Sequence, residues 1–316
     1  MIKKLKSHFL NWKFLIGLFI SFYFCYIVFK DFDFINFYNT IFNLNYIYII
    51  LAFIILIFSV FLRSLRWQLL LKDEKNIPVK SLFELELIGY FGNNILPLRF
   101  GEVLRSYFLS AKYNIDIAKV FGSILLERVL DVLGLVIIIL LFILPNLKEL
   151  FFLNFDLSLM LMILLVVVVS ISISIYFSKD KIKYSGENRF IQFLIDIFNG
   201  YSSLNVNNIY KILIYTISIW FCYWMIVYFV QYSIKLDISV LDSLVILVVS
   251  TIAFAIPSLP GGIGVFEYGV NFSLRLLDMN ENVDFGILLH SITFIPYTLI
   301  GGYFYIKYYF INLDDK

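Results

Sequence analysis

The 316-residue chain has little of what a soluble enzyme needs. Only 15% of its residues are charged, and its longest hydrophilic gap, roughly residues 178–208, is about thirty residues long. Nothing is long and polar enough to fold as a separate catalytic head, so one domain over 1–316 is expected. Cysteine is scarce: Cys25 and Cys222 both lie inside apolar runs with no metal-ligand spacing, which argues against a disulfide or a metal site. His8 and His290 stand apart from other ligand-type residues. No phosphate-binding glycine loop, dinucleotide fingerprint, nucleophile elbow or His-Glu-x-x-His pair occurs. The expectation is therefore no metal, no cofactor, no nucleic-acid partner and no enzyme chemistry.

What is present is apolar: 61% hydrophobic and 19% aromatic residues, with a mean hydropathy of +0.89. Several runs approach the ~20 residues that cross ~30 Å of hydrocarbon. A membrane barrel would show short alternating segments instead. The fold class is all-α, a polytopic integral membrane protein. Six full crossings are expected at 13–30, 46–62, 120–144, 157–177, 209–231 and 284–306, with two interrupted segments at 81–112 and 240–277. If both interrupted segments are re-entrant and the N-terminus is inside, twenty of the 25 Lys and Arg face the cytoplasm. Lys30, Lys148, Lys235 and Arg275 face out and Arg128 stays within a helix, a strong positive-inside bias. This places the protein in the cell membrane with both termini cytoplasmic. The basic start MIKKLKSHFLNWKF runs into its apolar stretch without a small-residue cleavage site, so it reads as a retained first helix. Residues 187–199 carry polar side chains on one helical face, as an interfacial helix does.

The two interrupted segments echo each other. The first reads NNILPLRFGEVLRSYFL from Asn93, and the second IPSLPGGIGVFEYGVNF from Ile256. Both contain Leu-Pro-x-x-x-Gly, ending at Gly101 and Gly264, with Glu102 and Glu267 close behind. Under the topology above they enter from opposite sides, as in transporters built from inverted repeats. Asn93, Pro97, Gly101, Pro257, Pro260, Gly261, Gly262 and Gly264 are the expected structural breaks. Proline removes an N–H and glycine permits a tight backbone. Backbone freed in this way must be buried in protein or line a wet cavity. A plain kink, supported by neighbouring helices, is the alternative.

Charges inside apolar segments are costly and mark candidate sites. Glu127, Arg128 and Asp131 share one helical face in ILLERVLDVLGL. They read either as an ion-pair cluster that fixes packing or as the wall of a polar pathway. Arg99, Glu102 and Arg105 flank the restart after Gly101, with Glu102 and Arg105 spaced i, i+3. Arginine suits bidentate phosphate contact, although cytoplasmic arginines also satisfy the positive-inside rule. Arg63 and Arg66 read as markers of the inner interface. Glu267 has no partner nearby in sequence, so it is expected to face Arg99, Arg105, Arg128 or a cavity.

These three stretches resemble the signatures of one family, the flippase-like membrane domain of lysylphosphatidylglycerol synthases. Its pattern is similar to N-x-x-x-P-x-R-x-G-E-x-x-R, then E-R-x-x-D, then P-G-x-x-G-x-x-E. Here these are Asn93, Pro97, Arg99, Gly101, Glu102 and Arg105; then Glu127, Arg128 and Asp131; then Pro260, Gly261, Gly264 and Glu267. All three occur in order, over nearly the whole chain. The resemblance implies a domain that moves a phospholipid between leaflets. In bifunctional members a soluble C-terminal domain makes that lipid; the present chain ends at Lys316, so the translocator half alone is expected. Other members are linked to polyprenyl-phosphate sugars, which leaves the lipid open.

The expected function is a transporter or flippase for a phospholipid or polyprenyl-phosphate-type lipid. Substrate binding falls to Arg99, Glu102, Arg105, Glu127, Arg128, Asp131 and Glu267, the arginines holding phosphate and the acids complementing the head group. The partners are membrane lipids and a separate synthase or glycosyltransferase. Transport would be passive, ion-coupled or partner-driven. Two alternatives stay open: an accessory subunit of a lipid-modification or glycosylation pathway, and an intramembrane enzyme acting on lipid head groups.

Overall fold

The computed structural model describes residues 12–30, 32–72, 74–96, 100–143, 188–201, 208–256 and 258–314. The crossing expected at 157–177 lies outside the described residues, as do Pro97, Arg99 and Pro257. Among the described residues the regular elements are all helical: α1 (Trp12–Phe29), α2 (Phe34–Phe42), α3 (Tyr46–Leu71), α4 (Val79–Ile95), α5 (Gly101–Tyr113), α6 (Ile117–Ile138, ending in a π turn over Ile139–Ile143), α7 (Arg189–Tyr201), α8 (Ile209–Ser233), α9 (Val240–Ala255), α10 (Val265–Leu276) and α11 (Val283–Asp314).

The helices α3, α8 and α11 are long and apolar enough to cross a membrane. Along α3 the residues Ile47, Ile50, Ile54, Phe58 and Phe61 are exposed at helical spacing, while Ala52, Leu56, Ser59, Arg63 and Arg66 are buried. Aromatic and aliphatic side chains outside with arginines inside is the reverse of a soluble protein, and it is stable where the surrounding medium is lipid. The protein is a multi-pass membrane protein. Helix α3 runs past the expected end at residue 62 to Leu71, because Arg63 and Arg66 find partners inside and do not mark an interface.

Each interrupted segment holds two described helices: α4 ends at Ile95 and α5 begins at Gly101, while α9 ends at Ala255 and α10 begins at Val265 after a short 3₁₀ turn at Pro260–Gly262. At the first break the Gly101 N–H donates to Asn93 Oδ1 at 3.0 Å. At the second the Gly264 N–H donates to Glu267 Oε2 at 2.8 Å. Each restarting helix thus has an early orphan donor satisfied by a side chain from its own motif.

Two further elements fill the gaps. The helix α2 lies between two expected crossings: Asp33 caps it, accepting from the N–H groups of Ile35 and Asn36 at 2.9 and 3.1 Å. Helix α7 covers the amphipathic stretch read from sequence, and Gln192 donates to both oxygens of Asp196 at 3.1 Å along its polar face.

The chain divides into two compact units. One comprises Met1–Leu56, Tyr90–Gly101 and Tyr223–Gly302. Here Phe24 of α1 packs on Tyr268 of α10, and Tyr90 stacks on Tyr297 with ring centroids 4.1 Å apart. Asn94 Nδ2 donates to the Phe294 carbonyl and the Thr298 hydroxyl at 3.2 and 3.0 Å. That bond lies beside Pro296 within α11, where the helix lacks an N–H. The other unit comprises Ile57–Gly89, Glu102–Cys222 and Tyr303–Lys316. Its apolar core includes Trp67, Leu70, Leu85, Ile88, Phe108, Ile124, Leu130 and Ile212.

Candidate functional site

The second unit holds a continuous chain of ion pairs. Arg105 on α5 reaches Glu86 on α4 at 2.5 Å through Nη1 and Glu127 on α6 at 3.0 Å through Nη2. Arg66 on α3 lies 3.6 Å from Glu127 and 2.7 Å from Asp131, and its Nη1 donates to the Thr216 hydroxyl of α8 at 3.1 Å. Arg63 donates to Asp131 Oδ2 through both terminal nitrogens, at 3.1 and 2.5 Å. Arg128 joins Asp131 at 3.4 Å and Glu102 of α5 at 2.6 Å. Four arginines thus meet four carboxylates. Such pairing is what allows charge to be buried at all, since each lone ion would cost several kcal/mol.

Local packing fixes the centre of this chain. The Arg105 guanidinium lies 4.7 Å from the Trp67 ring centroid, close enough for a cation–π contact. The Trp67 indole donates to Ser123 Oγ at 3.0 Å. Gly89 on α4 leaves room for the Arg105 stem: a Cβ there would come within 2.9 Å of Arg105 Cδ.

The network has an interior and an edge. The side chains of Arg105 and Glu127 are 2% and 1% exposed, whereas Arg128 and Glu102 are 38% and 21% exposed. The Arg128 Nε–H is buried and without a hydrogen bond among the described residues, as the Arg66 Nε–H is. A guanidinium that is 38% exposed and paired with a partly exposed carboxylate can take an anion in that carboxylate's place. One wrapped between Glu86, Glu127 and Trp67 cannot do so without breaking its cage. The expected i, i+3 link from Glu102 to Arg105 does not form; Glu102 turns to Arg128 and Arg105 to Glu86 and Glu127.

Glu267 belongs to the first unit, and its partner there is a histidine; of the arginines expected to face it, Arg105 and Arg128 pair with other carboxylates and Arg99 lies outside the described residues. Its Oε1 lies 2.7 Å from His290 Nδ1, and Oε2 accepts from Gly264. His290 Nε2 lies 2.9 Å from the Gly261 carbonyl. Gly261 and Gly262 have φ of 73° and 72°, a region that favours glycine. Added Cβ atoms there would press on the rings of Phe294 and Phe254. Gly261→Ala is therefore expected to destabilise the protein by about 1–3 kcal/mol from backbone strain plus ring displacement, visible as a lower thermal midpoint in detergent. A midpoint unchanged from wild type would mean the turn relaxes freely.

Sequence reasoning missed Arg63, Arg66, Glu86, Thr216 and His290. Helical periodicity held a signal for three of them. Arg63 follows the buried face Ala52, Leu56, Ser59, Glu86 lies on one face with Gly89 and Asn93, and His290 with Gly286 and Phe294. Arg99 lies outside the described residues.

A sequence model of the lysylphosphatidylglycerol synthase transmembrane region matches residues 14–301. The UPF0104 membrane protein MJ1078 of Methanocaldococcus jannaschii is 25% identical over 215 residues, covering 67% of this chain and 92% of that protein. The UPF0104 membrane protein MJ1595 of the same organism is 39% identical over 92 residues, 28% of this chain and 27% of that protein. No solved structure matches.

Proposed function

The chain belongs to the lysylphosphatidylglycerol synthase transmembrane-region family, and from that premise we propose that it moves a lipid with a phosphate head group between leaflets. The observation that carries this reading is Arg128: 38% exposed at the edge of a buried ion-pair chain and paired there with the partly exposed Glu102. A guanidinium offers five donors in a planar fork that matches phosphate. A head-group phosphate would displace Glu102 from the terminal nitrogens of Arg128. Glu102, released, would accept from an ammonium or hydroxyl on the same head group. Arg63, Arg66, Arg105, Glu86 and Glu127 hold Asp131, Arg128 and Glu102 in place and do not touch the lipid. In this reading the protein binds and moves the lipid without changing its covalent bonds. It lies in the cell membrane with cytoplasmic termini, as the positive-inside bias supports, and a separate synthase or glycosyltransferase would supply the lipid.

The test is lipid movement in vesicles reconstituted with purified protein, comparing labelled anionic phospholipid, lysyl-modified phospholipid and polyprenyl phosphate. One class is expected to move. Arg128→Gln should slow it about ten- to hundredfold, the worth of one charged hydrogen-bond set. Arg128→Lys should restore only part, because an ammonium lacks the fork. Wild-type rates in Arg128→Gln, or no movement of any class by folded protein, would overturn the proposal.

A further inference from the structure

We propose that Glu267 and His290 form a proton-binding site that latches the second helix break, a role beyond lipid recognition. His290 Nε2 faces the Gly261 carbonyl at 2.9 Å, and a carbonyl only accepts, so Nε2 carries a hydrogen. Nδ1 faces Glu267 Oε1 at 2.7 Å, a separation that also requires a hydrogen between the two atoms. The pair therefore holds one proton more than a neutral imidazole beside a carboxylate. It is either imidazolium with carboxylate or imidazole with carboxylic acid; the proton count is the same and belongs to the pair.

The surroundings suit this. The rings of Phe266, Phe294 and Phe254 stand around His290 with centroids 4.8, 5.6 and 6.4 Å away. Aromatic rings tolerate a neighbouring cation and exclude water. Other ionisable groups on the helices packed here are few. The Cys25 thiol of α1 lies within electrostatic reach of Glu267. Tyr268 on α10 packs on Phe24. Asp284 on α11 is bonded to Thr40 at 2.8 Å, and Asp242 at the start of α9 to Ser239 at 2.6 Å.

Loss of the proton leaves imidazole, carboxylate and a hydrogen ion released to water. One of the two short contacts then sets a nitrogen lone pair against an oxygen lone pair, either at Glu267 or at Gly261. Both contacts hold the turn that carries three glycines at positive φ, Gly261, Gly262 and Gly264. With either contact broken, the turn keeps only one of its two ties to α11. The latch is closed when protonated, at lower pH, and opens as pH rises through the titration.

Two measurements on lipid-reconstituted protein test this without any transport assay. The sequence has two histidines, so His8→Gln leaves His290 as the one ring observed by nitrogen-15 NMR. Its Nδ1 resonance should move over the pH interval in which the pair releases its proton. Hydrogen exchange at the amides of residues 261–264, corrected for intrinsic pH dependence, should quicken about tenfold over the same interval, the worth of one net hydrogen bond. Glu267→Gln, whose amide donates to the lone pair of a neutral Nδ1 and so keeps both contacts without the extra proton, should abolish both changes and keep exchange slow. Should His290 variants fail to fold, this isosteric variant still decides. An Nδ1 resonance and an exchange rate that stay constant in wild type, or a titration that survives in Glu267→Gln, would overturn the latch. The failure of Arg128→Gln to affect lipid movement would leave it standing.

Discussion

Asp131→Ala is expected to cost about 3–5 kcal/mol, the penalty for stripping the partner from buried charge. Asp131 accepts from Arg63, Arg66 and Arg128 together. With it gone, three guanidiniums converge with Glu127 and Glu102 as the remaining acceptors, and the cluster carries a net positive charge in a medium that cannot hydrate it. The thermal midpoint in detergent should fall by about ten degrees, and much of the protein should elute aggregated in size exclusion. The companion variant is Asp131→Ala with Arg63→Met. It restores the balance of charge at three arginines and three carboxylates, and should recover a substantial part of the loss despite having one more residue changed. Recovery would identify charge imbalance, not lost volume, as the cause. A loss below about 1 kcal/mol for Asp131→Ala would mean the network is hydrated like a surface pair and would remove the basis for treating it as a rigid brace.

Much of this architecture was legible because lipid imposes simple rules. A helix that must satisfy its own backbone in hydrocarbon leaves a long apolar run, so α1 and α8 were found within a few residues, and α3 and α11 at their starts, though both run on past the expected ends at 62 and 306 to Leu71 and Asp314. Proline and glycine inside such runs announced both breaks. Partners were harder to read. Glu127, Arg128 and Asp131 stood out because they interrupt an apolar run, yet Arg63 and Arg66 sit where an interface was expected and passed as its markers. Glu86 hid in an alternating Glu-Leu-Glu stretch whose other acid, Glu84, pairs with Lys307 at 3.0 Å. His290 is a single weakly polar residue among apolar ones, and no local pattern ties it to Glu267. These are tertiary pairings between positions distant in sequence, and spacing along one chain does not encode them. The short helix α2 escaped for a different reason: nine residues are too few to show a helical period, although Asp33 before Phe34 was its capping signal.

Arg105 gives the second large expected effect and separates two roles for the network. Arg105→Met should cost about 3–5 kcal/mol, because Glu86 and Glu127 lose the cation between them while the buried site admits no water to replace it. Methionine fills much of the stem volume beside Gly89 and Trp67, so the loss is chiefly electrostatic. Arg105→Met with Glu86→Leu removes one charge of each sign and leaves Glu127 with Arg66. Its stability should return to within about 1.5 kcal/mol of wild type, since apolar replacements of buried ion pairs are often neutral. The coupling between the two sites should be about 2–3 kcal/mol by double-mutant cycle. Stability and lipid movement are then expected to part. Glu102 precedes Arg105 on the same helix, α5, and its aim at Arg128 depends on Arg105 tying that helix to α4 and α6. In the stable double variant, lipid movement should still fall about tenfold, one charged contact's worth. A double variant as active as wild type would make the interior pairs dispensable packing; one that stays unstable would mean that charge balance alone does not decide which pairs this bundle can lose.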